Sequence, residues 1–186
     1  MMNHIGTKTI ETERLILRRF TVDDADAVYR NFAGDSEVTK YLRWSAHPDP
    51  EYSRNTVAEW VKSYDDPAYY NWAIVLRETD ECIGSVGCAW MNEHIHMIHT
   101  YYCIGKNWWG GGIVTEAYKA VLKFFFEEVQ ANRIEAYHEP NNPASGKVME
   151  KCGLRYEGTL RRGDYNNTGI VDAAVYGILK EEYFGI

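Results

Sequence analysis

Hydrophobic positions change their spacing several times along this chain, and each change marks an element. From Glu13 to Phe20 apolar and charged residues alternate, which predicts a strand with one wet face. Thr21 with Asp24 three residues on has the form of a helix N-cap and acidic first turn, and a short helix to about Phe32 should follow. Gly34 to Pro50 has no period and is expected to be irregular. Val57, Trp60 and Val61 then fall on one side of a helix from about Tyr52 to Tyr64, ended by Asp65-Asp66-Pro67. Three strands follow: Asn71 to Arg77, Cys82 to Trp90, and Ile95 to Ile104.

Gly110, Gly111 and Gly112 interrupt this pattern, and from Ile113 the period becomes helical. Thr115, Glu116, Lys119, Lys123 and Glu127 make a narrow polar stripe on an otherwise apolar helix, which must be buried on most sides. Arg133 to His138 is a short strand, broken by Pro140-Asn141-Asn142-Pro143. Asn142 can cap a helix from Ala144 to Lys151 that Cys152-Gly153 stops. Leu154 to Leu160 and Ile170 to Leu179 are two last strands around a turn at Gly163 to Gly169. The order predicts one α/β domain over residues 1–186. Its mixed sheet should be mostly antiparallel, with about seven strands, about four flanking helices and one parallel step through the buried helix.

Strand, glycines and helix come in the order an anion site needs. Glycines let a ligand approach the backbone, and the first amides of a helix point their N–H groups and the positive end of its dipole at it. A glycine turn alone would explain the same residues.

Composition narrows the setting. With 45% hydrophobic and 25% charged residues the chain can bury a core without staples. A net charge of −7 argues against nucleic acid as partner. Fourteen Tyr and six Trp suggest a ring-lined pocket or interface. Cys82, Cys88, Cys103 and Cys152 show no C-x-x-C spacing and are expected to be core hydrophobes in a reducing, cytoplasmic setting. No signal-peptide pattern and no membrane span of about 20 apolar residues is present.

Four segments together resemble the GNAT superfamily of acyl-CoA-dependent N-acetyltransferases, and within it the RimJ/RimL type. They are Thr12 to Arg18 (T-E-R-L-I-L-R), Trp109 to Ala117 (W-G-G-G-I-V-T-E-A), Asn142 to Leu154, and Asp172 to Tyr183. Trp109 stands where the superfamily's general loop has a polar residue, and Val114 where it has a small one, which would crowd a pyrophosphate slightly.

The resemblance implies that acetyl-CoA is the co-substrate, with no metal. Its pyrophosphate would lie on the amides of Trp109, Gly110, Gly111, Gly112, Ile113, Val114 and Thr115. Its pantetheine arm would pair with the strand edge at Tyr102, Cys103 and Ile104, an amide of Cys103 or Ile104 facing the thioester oxygen. Asn142 would bind the arm, and Ser145 would protonate the leaving thiolate; both could instead only cap their helix. The general base stays open between His99, Glu139 and a water relay. His94, His96 and His99 also suggest a metal, but an alternating strand would put His96 and His99 on opposite faces. Trp44 and Tyr165 are candidates for the acceptor pocket. The acceptor is a small-molecule amine or a peptide N-terminus, and the final strands could extend a sheet across a homodimer. The alternative is a non-catalytic acyl-CoA-binding or interaction module on the same fold. A dinucleotide-binding fold fits less well, because its glycine loop follows the first strand.

Overall fold

The computed structural model describes residues 1–185. Eight strands form one mixed sheet in the order β1-β2-β3-β4-β5-β6-β8-β7. They are β1 Ile10–Glu11, β2 Leu15–Arg18, β3 Asn71–Leu76, β4 Glu81–Asn92, β5 Met97–Ile104, β6 Arg133–His138, β7 Arg155–Asn166 and β8 Gly169–Leu179. Six helices accompany them: α1 Ala25–Val28, α2 Ser36–Thr39, α3 Pro50–Ser63, α4 Ile113–Glu127, α5 Pro143–Lys151 and α6 Lys180–Phe184. Every pairing is antiparallel except β5 with β6, the two strands that α4 connects. This is the mixed, mostly antiparallel α/β architecture expected. The additional strand, β1, is two residues long and too short to show an alternation.

Each face of the sheet has its own core. On one face α4 buries Ile113, Ala117, Tyr118, Val121, Leu122 and Phe124 to Phe126 against Trp72, Ile74, Ile98 and Ile134, with Met149 and Leu154. Phe124 and Phe125 meet Trp72 edge-on at 5.4 and 5.7 Å, and the Trp72 indole N–H donates to Lys8 O. The polar stripe of α4 is narrow because sheet and helices enclose the rest. On the other face α1 and α3 cover Ala73, Val75, Cys82 and Cys103. All four cysteines are free thiols, and Cys88 alone is only partly buried.

Three local readings change. The helix after Thr21 tightens and widens along its length: a 3-10 turn at Val22–Asp24, then α1, then a π turn at Tyr29–Ala33 closed by Gly34 N–H to Tyr29 O. The irregular segment contains α2, started by Asp35 accepting from Glu37 N–H, and α3 begins at Pro50 with Asp49 accepting from Tyr52 N–H. The turn expected at Gly163 to Gly169 is largely strand. A bulge between Leu160 and Asp164, with Arg162 at φ +52°, absorbs the extra residues, and the turn shrinks to Asn167-Thr168.

Arg18 on β2 forks onto both oxygens of Asp24, at 2.7 and 2.8 Å, and Thr21 N–H adds a third bond at 2.7 Å. Burial pushes the Asp24 carboxyl up, but these bonds outweigh it and hold the group below the usual carboxylate range. A depressed native pKa stabilises the fold above about pH 4, and that contribution disappears as pH falls through the native value. Melting temperatures between pH 2.5 and 7 should therefore fall more steeply at the acid end for the parent than for Asp24→Asn.

Candidate active site

β5 and β6 pair over three residues only, Met97↔Arg133 to His99↔Glu135. Beyond that, each stays with its outer neighbour: β5 with β4 to Ile104, β6 with β8 to His138. The two strands part and leave a cleft. Gly105 donates its amide to Ile83 O (2.9 Å), and residues of one antiparallel strand alternate between neighbours. Residues 101, 103 and 105 thus point their amides at β4, while Tyr102 and Ile104 point theirs into the cleft. Cys103 is a correction: its amide belongs to the β4 ladder, and its thiol lies in the α1–α3 core, where burial pushes it up to about 12.

The glycine loop closes one end of this cleft. Gly110 and Gly112 have φ of +76° and +75°, a conformation glycine adopts without strain. Gly112 is the N-cap of α4, and the first bonded amide of the helix is that of Glu116, to Gly112 O. Among the described residues no protein group accepts from the amides of Gly110 to Thr115. An anion there meets free N–H donors and the helix dipole together. Val114 is half-buried and packs on the main core. Trp109 folds back, its indole N–H donating to Ile104 O at 3.0 Å.

A strap from the turn between β1 and β2 fixes the loop from behind. Arg14 Nη1 donates to Gly111 O (2.9 Å), while its Nε and its own amide donate to the two oxygens of Glu116 (2.7 and 2.9 Å). Thr12 Oγ1 donates to Glu116 as well, at 2.6 Å. Burial pushes the Glu116 carboxyl up, but the bonds from Thr12 and Arg14 outweigh it and hold the group ionised. The opening signature and the glycine-loop signature, about a hundred residues apart in sequence, thus meet here.

The start of α5 lies across the cleft. Asn142 makes no side-chain cap, contrary to the role expected of it; its φ of −111° and ψ of 65° lie off the extended cap geometry. Its carbonyl accepts from Ser145 N–H instead, and among the described residues its amide side chain has no partner. Ser145 Oγ is 2.9 Å from the Tyr102 hydroxyl, which also donates to Ser145 O at 2.8 Å. Burial pushes the Tyr102 phenol well up, so it stays protonated and acts as a donor.

On the opposite face, at the base of the cleft, His99 is buried beside Glu135. His99 Nδ1 is 3.3 Å from Glu135 Oε1, and the ring stacks on Trp90 at 5.1 Å and meets Tyr137 edge-on at 4.4 Å. Burial pushes Glu135 up, but bonds from His99, Arg133 and Tyr137 outweigh it and hold the carboxylate ionised. An ionised carboxylate only accepts, so the Nδ1 that faces it carries a proton. Arg133 continues the chain to Glu157 at 2.5 Å. Glu135, Trp90 and Tyr137 were not among the sequence candidates.

Glu139 is placed differently. Its carboxylate accepts from Asn141 (2.8 Å), Asn166 (2.6 Å) and Thr168 (3.4 Å), and so pins the β7–β8 turn to the cleft end. The same turn holds the 39–45 segment: Asn167 donates to Thr39 O and Trp44 O at 2.8 Å each, and Arg43 pairs with Asp164. Trp44 and Tyr165 are exposed along this roof, Arg43 lying over the Tyr165 ring. His96 sits in a turn at φ +50°, ahead of β5, so strand alternation does not govern it. Among the described residues no group of three or more His, Cys, Asp or Glu could hold a metal ion, and no helix is long and apolar enough to cross a membrane.

Comparison with known proteins gives one family. Residues 14–155 match the family model described as "Acetyltransferase (GNAT) domain". The uncharacterized N-acetyltransferase p20 of Bacillus licheniformis is 31% identical over 96% of this chain and 99% of its own. The crystal structure of a GNAT-family acetyltransferase from Bacillus anthracis superposes with a TM-score of 0.82 at 28% identity, covering 94% of this chain and 99% of that one. The ribosomal-protein alpha-N-acetyltransferase RimL, solved in complex with coenzyme A, has a TM-score of 0.81 at 17% identity over 92% of this chain and 98% of its own.

Proposed function

The chain belongs to the GNAT acetyltransferase family and is an N-acetyltransferase, and from that premise we propose that it transfers acetyl from acetyl-CoA to a primary amine by direct attack. The observation that carries this reading is the shared cleft: free loop amides at one end, two inward strand amides along one lip, and Ser145 on the other side. In this reading the amides of Gly110 to Thr115 bind the pyrophosphate, Tyr102 and Ile104 pair with the pantetheine arm, and Asn142 steadies it. One of the two strand amides faces the thioester oxygen and stabilises the tetrahedral oxyanion.

The amine nitrogen attacks the thioester carbon, a C–N bond forms and the C–S bond breaks. The amine proton goes to His99 Nε2, whose imidazolium Glu135 stabilises. The thiolate takes its proton from Ser145, and Tyr102, within reach of the same oxygen, can replace it. Ser145→Ala should lower kcat by about ten- to hundredfold, at the weak end of general acid catalysis. The KM for acetyl-CoA should change little; a free-thiol release assay checks both.

The acceptor approaches from the face of His99, under the roof of Trp44 and Tyr165. RimL, the ribosomal-protein alpha-N-acetyltransferase compared above, has this fold, which supports a protein or peptide N-terminus as acceptor, with small amines as the other class. Isothermal titration with acetyl-CoA, followed by thiol release over a panel of peptide N-termini, polyamines, amino acids and aminoglycosides, tests the proposal. No binding at millimolar acetyl-CoA would sink it. Binding without turnover on any amine would instead favour a non-catalytic acyl-CoA-binding module.

A further inference from the structure

We infer that Arg14 is a positioning residue that fixes the orientation of the Gly111–Gly112 peptide, and so decides whether the glycine loop presents an N–H or a carbonyl to its anion. The inference deepens the proposed acetyl-CoA site and rests on that reading. In a trans peptide the C=O of one residue and the N–H of the next point in opposite directions. Arg14 Nη1 holds Gly111 O at 2.9 Å on the β2 side of the loop. The Gly112 N–H is thereby turned the other way, to the exposed mouth. Glycine stands on both sides of this peptide, so little in the backbone itself resists a flip. With Arg14 removed, the flipped peptide would aim a carbonyl oxygen at the diphosphate.

The strap is built to keep the guanidinium in place. Nε and the Arg14 amide both bind Glu116, and Thr12 occupies the same carboxylate. Glu116 lies in the first turn of α4, so the strap and the loop move with one helix. The Arg14 side chain is 45% exposed, which leaves it at the surface and outside the core.

The test compares two acetyl donors. S-Acetylpantetheine carries the thioester and the arm but no diphosphate. For Arg14→Ala, kcat/KM with acetyl-CoA should fall about ten- to hundredfold, the loss expected for hydrogen bonds to a charged group. With S-acetylpantetheine the fall should stay below about threefold. Arg14→Lys can reach Gly111 O and keeps the backbone amide bond to Glu116 but loses the Nε bond, and should recover part of the difference. Equal losses with both donors, or no loss with either, would overturn the inference. Calorimetry of CoA with Gly112→Val separates the two levels. If that variant binds CoA normally, the loop is not the diphosphate site. If it fails to bind while Arg14→Ala binds as the parent does, the loop reading stands and the role of Arg14 does not.

Discussion

Gly112→Val should abolish acetyl-CoA binding and leave the fold standing. Gly112 has φ +75°, and a branched side chain there costs about 1–3 kcal/mol. Steric room is not the obstacle, since a Cβ would meet only the Arg14 tip at 3.7 Å, an ordinary contact. The exposed loop can shed the strain by leaving the left-handed region. That relaxation is cheap for the core, which begins at Ile113, but it rotates the amides that must converge on one anion. An affinity loss above about a hundredfold is expected, with a melting temperature lowered by only a few degrees. Titration calorimetry and a thermal melt measure the two separately. Unchanged affinity would show that the loop does not hold the cofactor.

His99→Ala should lower kcat by about a hundred- to ten-thousandfold, the range for a lost general base. Trp90 and Tyr137 would keep a ring-shaped slot, so added imidazole should restore part of the rate. Glu135→Gln retains a hydrogen-bond acceptor but removes the charge that favours the imidazolium, and should cost about tenfold or more. Glu139→Gln is the control for the rival base. Its oxygens are already committed to Asn141, Asn166 and Thr168, so its loss should be much smaller than that of His99→Ala. Equal losses at Glu139 and His99, with no rescue by imidazole, would move the base to Glu139.

The elements that carry a long period were legible in the sequence. α4 betrayed itself by a stripe of five polar residues, and the order of strand, glycines and helix announced the anion site. What escaped depends on register. Glu135 reaches His99 only because the short parallel pairing sets the two opposite each other, and no local pattern fixes that match. A faint signal existed: Arg133, Glu135 and Tyr137 alternate on one face of a strand, a polar row where a buried strand should be apolar. The strap escaped for the same reason. Both signatures were visible as resemblance, yet nothing in either says that Arg14 turns back onto Gly111. Asn142 has the residue type of a cap and precedes proline, but its backbone lies outside the cap geometry, which residue type does not reveal. The bulge in β7 hid strand as turn, since Gly163 and Arg162 disguise the alternation.

The brevity of the β5–β6 pairing has a mechanical consequence. Strands β1 to β5 and strands β6 to β8 are two ladders stitched by three residue pairs. Side-chain cross-ties reinforce the seam at Thr100 to Glu135 O and Tyr102 to Ser145, and α4 spans it as a beam. A pantetheine arm lying along Tyr102 and Ile104 would lengthen that seam, much as an extra half-strand would. Binding energy would then be spent on joining the ladders as well as on holding the ligand, and the loaded protein would resist shear better than the empty one.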